Sequence, residues 1–160
     1  MIIGSILKGK GTEIVSVRPE DTVLTVARTL GEHRIGAALV RDAAGAMLGI
    51  ISERDIVRGM AAHGPGTTGL KAEQFMTRDL VTVTPQTLVI QALGLMTQKR
   101  VRHLPVLEGD RLAGLVSIGD LVKARIEEAE QEAEELEGLC HRCGVGQVAA
   151  RPDGAAAILT

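Results

Sequence analysis

Neither tryptophan nor tyrosine occurs in this chain of 160 residues, and Phe75 is its single phenylalanine. A binder of single-stranded nucleic acid normally stacks bases on aromatic side chains, and this chain has almost none to offer. Charge points the same way. With 18 Lys and Arg against 20 Asp and Glu, the formal net charge is −2, the wrong sign for a polyanionic partner. No apolar run approaches the roughly 20 residues needed to cross a bilayer. The opening M-I-I-G-S-I-L-K has no basic residue ahead of its apolar stretch, so no secretory signal is expected. The two cysteines are too few for a disulfide framework. These absences predict a cytoplasmic protein in a reducing setting, with no nucleic-acid and no membrane partner.

What is present is aliphatic and duplicated. Hydrophobic residues make up 45% of the chain, and a chain of this length is about one average domain, able to bury roughly 70% of its unfolded surface. Ile14 through Val40 aligns without a gap on Leu80 through Val106, an offset of 66 residues (Ile14 to Leu80). After one deletion Gly49 matches Gly114, Ser52 matches Ser117 and Asp55 matches Asp120. A period this long, present twice, indicates a duplicated half rather than a solenoid. Each copy reads β-α-β-β-α. In the first, Ile14–Val17 alternates as a strand, Pro19 ends it, and P-E-D-T opens a helix capped by Asp21 or Thr22. Val23, Val26, Ala27 and Leu30 fall on one helical face, as do Val89, Ala92, Leu93 and Met96 in the second copy. Strands follow over 36–41 and 47–51, then a helix over 53–62. H-G-P-G-T-T-G (63–69) has turn composition and reads as the linker, with a short helix over 70–76. Residues 2–8 read as an amphipathic lead-in, a packing segment that closes the module.

The chemistry concentrates in G-I-I-S-E-R-D-I-V (49–57) and G-L-V-S-I-G-D-L-V (114–122). In each, a buried strand delivers the backbone to a helix N-terminus, where unpaired N–H groups make the local potential positive. Those groups and a hydroxyl, Ser52 or Ser117, can hold a phosphate. The carboxylate three residues on, Asp55 or Asp120, can accept from two ribose hydroxyls. The competing reading is a capping box. One copy alone would be read as a cap; two copies in matched positions favour a ligand. G-K-G-T (9–12) lacks the spacing of a phosphate-binding Walker loop.

As a set, I-V-S-V-R-P (14–19) with L-V-T-V-T-P (80–85), R-I-G-A-A-L-V (34–40) with R-V-R-H-L-P-V (100–106), and the two Gly…Ser-x-x-Asp segments resemble a tandem pair of cystathionine-β-synthase-type (CBS) domains. The resemblance covers about residues 1–137, and it implies that residues 2–8 pack beside repeat one. It implies an α+β fold of two β-α-β-β-α repeats packed sheet to sheet about a pseudo-twofold axis: repeat one over 1–62, linker 63–69, repeat two 70–137, and a tail over 138–160. It also implies a stand-alone regulatory module, not an enzyme, that binds AMP, ADP, ATP or NAD in clefts between the repeats. Adenine would lie against Val15, Val17, Val81 and Val83. Gly36 and Ala37 in one repeat, and Arg102 and His103 in the other, would approach ribose or phosphate. Arg54 adds a phosphate contact where Gly119 cannot, so the site with Arg54 and the site with Arg102 and His103 should differ. A homodimer is expected, with apolar Leu93, Leu95 and Met96 as its motive, and a regulated protein partner of unspecified identity. The alternatives are a dimerisation or interaction scaffold with empty clefts, and a small redox or zinc protein working through Cys140 and Cys143.

The last helix, from Ile118, is long and acidic. Val122, Ile126, Ala129, Ala133 and Leu136 space as a weak heptad seam, for either a solvated extension or a contact with a second subunit. Gly138 is expected to break it ahead of Cys140-x-x-Cys143. That motif is half of a zinc site or a redox pair, and no second half exists in the chain, so no metal is expected.

Overall fold

The repeat in sequence becomes a repeat of elements. α1 (Ile3–Lys10) leads into β1 (Ser16–Val17), α2 (Val23–His33), β2 (Ala37–Arg41), β3 (Met47–Ser52) and α3 (Glu53–His63). Then α4 (Val89–Lys99), β4 (His103–Glu108), β5 (Arg111–Ser117) and α5 (Ile118–Arg142) reproduce the last four. The computed structural model describes residues 1–11 and 14–142. Residues 1–125 form one compact unit, and a second begins at Ile126, partway along α5.

The fold is α+β, with two small sheets. β1 runs parallel to β2, and β2 antiparallel to β3 with Ala37 opposite Ser52. β4 and β5 are antiparallel with His103 opposite Ser117. The first strand of repeat two shrinks to a single parallel bridge, Val83 to Val106, at the register that Val17 and Val40 hold in repeat one. α2 starts where the Thr22 hydroxyl accepts from the Thr25 N–H. Both α2 and α4 end on a left-handed arginine, Arg34 and Arg100, the residues that open the second repeated motif. Val23, Val26 and Leu30 are buried as predicted, whereas Ala27 is exposed.

Two aliphatic cores result, and the lead-ins cross between them. Val17, Val26, Leu30, Ala38, Val40 and Ile51 pack with Ala72 and Met76, which precede repeat two in sequence. Val83, Val89, Met96, Leu104, Val116 and Leu121 pack with Ile3 from α1. Backbone bonds fix both crossings: the Ile3 N–H donates to Thr87 O (2.9 Å), and Thr77 and Ile50 exchange N–H···O bonds of 2.8 and 3.0 Å. The expectation that residues 2–8 pack beside repeat one is therefore overturned. The matched glycines explain the crossing locally. A Cβ on Gly49 would lie 2.7 Å from Thr77 O, and one on Gly114 would lie 2.6 Å from Leu7 Cδ2.

Other boundaries shift too. The linker is ordered as a 3₁₀ run, Gly64–Gly69, pinned by the buried Thr67 hydroxyl, which donates toward Gly59 O (3.0 Å) and Gly64 O (2.8 Å). The helix expected over 70–76 is one 3₁₀ turn, Ala72–Gln74. α5 does not stop at Gly138 but continues to Arg142, since a lone glycine costs a helix only about 1 kcal/mol. Cys140 thus lies on the α5 backbone, and Cys143 falls outside the described residues.

Candidate clefts between the repeats

Each Ser-x-x-Asp junction forms the same local structure. The Ser52 N–H and hydroxyl both donate to Asp55 Oδ2 at 2.8 Å, and the Asp55 N–H returns a 3.4 Å bond to Ser52 Oγ. Ser117 and Asp120 repeat this at 2.8, 2.8 and 3.2 Å. The capping box is therefore formed in both copies. One bond per repeat then ties each helix start to the strand beside it: the Glu53 N–H donates to Gly36 O (3.0 Å) and the Ile118 N–H to Arg102 O (2.8 Å).

Two unequal clefts are lined from both repeats. The larger, about 380 Å³, lies at the Ser52 junction. Its apolar wall is Ile50 with Leu80, Val81, Val101 and Pro105. Its polar side carries Arg54, Arg58, Lys99, Arg100 and Arg102 against Glu53, Asp55 and Asp79, five cations to three carboxylates. Arg54 Nη1 reaches across to Arg100 O at 3.2 Å. The smaller cleft, about 70 Å³, is lined by Val15 and Ala37 of repeat one, by Gly114 and Leu115 of repeat two, and by Leu7, Lys10 and Gly11 of the lead-in. Lys10 Nζ lies 2.6 Å from Asp120 Oδ2 and 3.4 Å from Leu115 O.

The sequence-predicted residues therefore divide in a way the repeat pattern did not indicate. Gly36, Ser52, Arg54, Asp55, Val81, Arg102 and His103 share the larger cleft. Arg54 does not stand in a different site from Arg102 and His103, because the larger cleft joins the Ser52 junction of repeat one to residues of repeat two. Val15 and Ala37 line the smaller cleft, whereas Ser117 and Asp120 do not line it; Asp120 is joined to it by its bond with Lys10. Val17 and Val83 are core residues that line neither cleft. Sequence reading missed Arg58, Lys99 and Arg100. Arg58 is one helical turn beyond Arg54, and K-R-V-R (99–102) is a basic run, so both signals were available.

Burial raises the carboxyl of Asp120, but hydrogen bonds from Lys10 and Ser117 and the charge of Lys10 outweigh it and hold the group below its ordinary value. Burial lowers the imidazole of His103, and Lys10 and Arg102 add to this against the opposing pull of Asp120 and Glu53. The ring packs where a Gly36 side chain would begin, 3.4 Å from that Cβ position. Among the described residues no cluster of three His, Cys, Asp or Glu could hold a metal ion, and no helix is long and apolar enough to cross a membrane.

Known proteins share this arrangement. The CBS domain family model matches residues 10–62 and again 72–127. A CBS-domain protein of Agrobacterium tumefaciens has a crystal structure similar to this one at TM-score 0.76, with 40% identity over 78% of this chain and 92% of that one. The mitochondrial CBS domain-containing protein CBSX3 of Arabidopsis thaliana is 35% identical over 142 residues, 84% of this chain and 69% of its own. The CBS domain pair of protein MJ0100, solved with 5′-methylthioadenosine and S-adenosyl-L-methionine, shares the fold at TM-score 0.70 and 21% identity, over 80% of this chain and 98% of that one. With two matched repeats that build their clefts together, the chain belongs to the CBS domain family.

Proposed function

We propose that this protein is a non-catalytic regulatory module that binds an adenine nucleotide (AMP, ADP, ATP or NAD) in the larger cleft. The observation that carries this reading is the composition of that cleft. Its volume of about 380 Å³ falls within the range of small-molecule sites, and one side is aliphatic while the other is rich in guanidinium groups. Adenine fits against Val81, Leu80 and Ile50. Phosphates are drawn to the α3 N-terminus and to Arg54, Arg58 and Arg102, where charge-assisted bonds to arginine are the strong ones. Asp55 has the position to accept from ribose. The fold relative solved with two adenosine-containing ligands lends support by analogy. The surplus of cations favours nucleotides over uncharged nucleosides. The regulated partner would be a protein that senses cleft occupancy. We infer in addition a homodimer and a cytoplasmic setting, although the Arabidopsis relative's name assigns that protein to mitochondria.

With neither Trp nor Tyr, the chain absorbs little near 280 nm, so a 260 nm band in purified protein reports retained nucleotide. Calorimetry with AMP, ATP and NAD then measures affinity. Asp55→Ala should weaken binding roughly 10- to 100-fold by deleting one charge-assisted contact, while loss of the cap costs about 1 kcal/mol and leaves the fold intact. Silence toward all three nucleotides at millimolar concentration would leave the scaffold reading in its place.

A further inference from the structure

The two clefts receive different charges from the lead-ins. Leu7 packs on Gly114 as Met76 packs on Gly49, so the lead-ins correspond at those residues. Three residues on from each stand Lys10 and Asp79, and each lines its own cleft. The lead-ins thus bring an ammonium to one cleft and a carboxylate to the other. Lys10 is the last residue of α1, which the fully buried Ile3 anchors in the core of repeat two. Its ammonium is consequently delivered by a fixed helix rather than by a loose tail. It reaches an oxygen that already accepts two bonds from Ser117.

We propose that Lys10 is a built-in occupant of the smaller cleft: it holds Asp120 in place of a ligand's hydroxyls, so the chain takes one nucleotide, in the larger cleft, rather than two. This rests on the nucleotide reading above. The cleft around Lys10 measures about 70 Å³ against about 380 Å³ at the Ser52 junction, well short of a nucleotide unless the lysine withdraws. Withdrawal separates an ion pair at 2.6 Å and leaves a half-buried carboxylate unpaired, which opposes entry. Asp120, held ionised well into acid, keeps the pair intact across the neutral range. Lys10 therefore determines stoichiometry and assigns the ligand to one cleft.

The test is calorimetry of the full chain with AMP. Wild type should bind one equivalent, and Asp55→Ala should weaken that site. Lys10→Ala should expose a second site, tighter than in wild type by roughly 10- to 100-fold, that disappears again in Lys10→Ala with Asp120→Asn. Lys10→Arg, which keeps the cation, should stay at one equivalent. The lysine side chain is 45% exposed, so the Lys10 substitutions do not open the core. Two equivalents on wild type, one of them lost in Asp120→Asn, would overturn the proposal. So would a folded Lys10→Ala that still binds one, or a second site that Lys10→Ala weakens, which would make Lys10 a phosphate ligand. In each of those outcomes the larger cleft still binds, and the nucleotide reading stands. No AMP on any variant would overturn both.

Discussion

Asp55 and Asp120 occupy matched positions and make the same bonds with their serines, yet only Asp120 is paired with a lysine. The difference arises 110 residues away in sequence, so the motif alone cannot disclose it. His103 is a second residue whose character comes from its surroundings. Its imidazole sits among Lys10, Arg102, Asp120 and Glu53, and its pKa lies below the ordinary 6.5. An unfolded chain protonates this histidine near 6.5, while the folded protein resists until lower pH. Between those two values the unfolded state holds more protons, so stability falls as pH drops through that window. Asp120 acts in the same direction further into acid: its contribution is present above the ordinary 3.8 and is lost as pH falls through the lower folded value. Urea midpoints at about pH 5 and about pH 7.5 should differ for wild type, and His103→Gln should narrow the gap. An unchanged gap would assign the acid sensitivity to other groups.

At the level of elements, the crossed lead-ins govern which glycines tolerate change. At Gly49 an added methyl meets backbone, Thr77 O at 2.7 Å, together with Met76 Sδ at 3.0 Å. At Gly114 it meets the flexible end of Leu7. Gly49→Ala should therefore cost about 1–3 kcal/mol, the range for overpacking, and Gly114→Ala distinctly less. Denaturant titration of both variants checks the order, and equal losses would contradict it. The strand-to-helix junctions and the faces of α2 and α4 were legible because periodicity and capping are local. The 3₁₀ run at Gly64–Gly69 was not, because its order depends on buried Thr67 bonding back to Gly59. The end of α5 was misjudged because a lone glycine weakens a helix without stopping it.

For the whole molecule, the surface inferred to form the homodimer has to be reassigned. Met96 is buried, and Leu93 and Leu95 pack against their own core. Four exposed apolar residues instead fall in two pairs at equivalent positions of the two repeats: Leu24 with Ile90, and Val57 with Val122. Repetition of an exposed apolar position on matching helices suits a symmetric contact, since a twofold interface must be self-complementary. Light scattering at micromolar concentration should report a dimer, and Ile90→Glu with Val122→Glu should report a monomer. A wild-type monomer, or a double variant that stays dimeric, would refute this assignment. The seam at Ile126 and Leu136 is also exposed, and truncation after Gly138 that leaves the dimer intact would show that the helix beyond is not needed.

The sequence by itself determined the duplication, the α+β repeat, the aliphatic cores and the two capped junctions. All of these follow from spacings of a few residues or from one long internal match. Only the tertiary structure decided which half completes which core, and which residues share a cleft. The physical reason is exchange between the halves. α1 completes the core of repeat two, Met76 that of repeat one, and the Ser52 junction shares its cleft with residues of repeat two. A repeat alignment pairs Arg54 with Gly119 and Gly36 with Arg102, as though each column described one site. Packing instead sets Arg54 beside Arg102, and brings Lys10 against Asp120 to fill the second cleft.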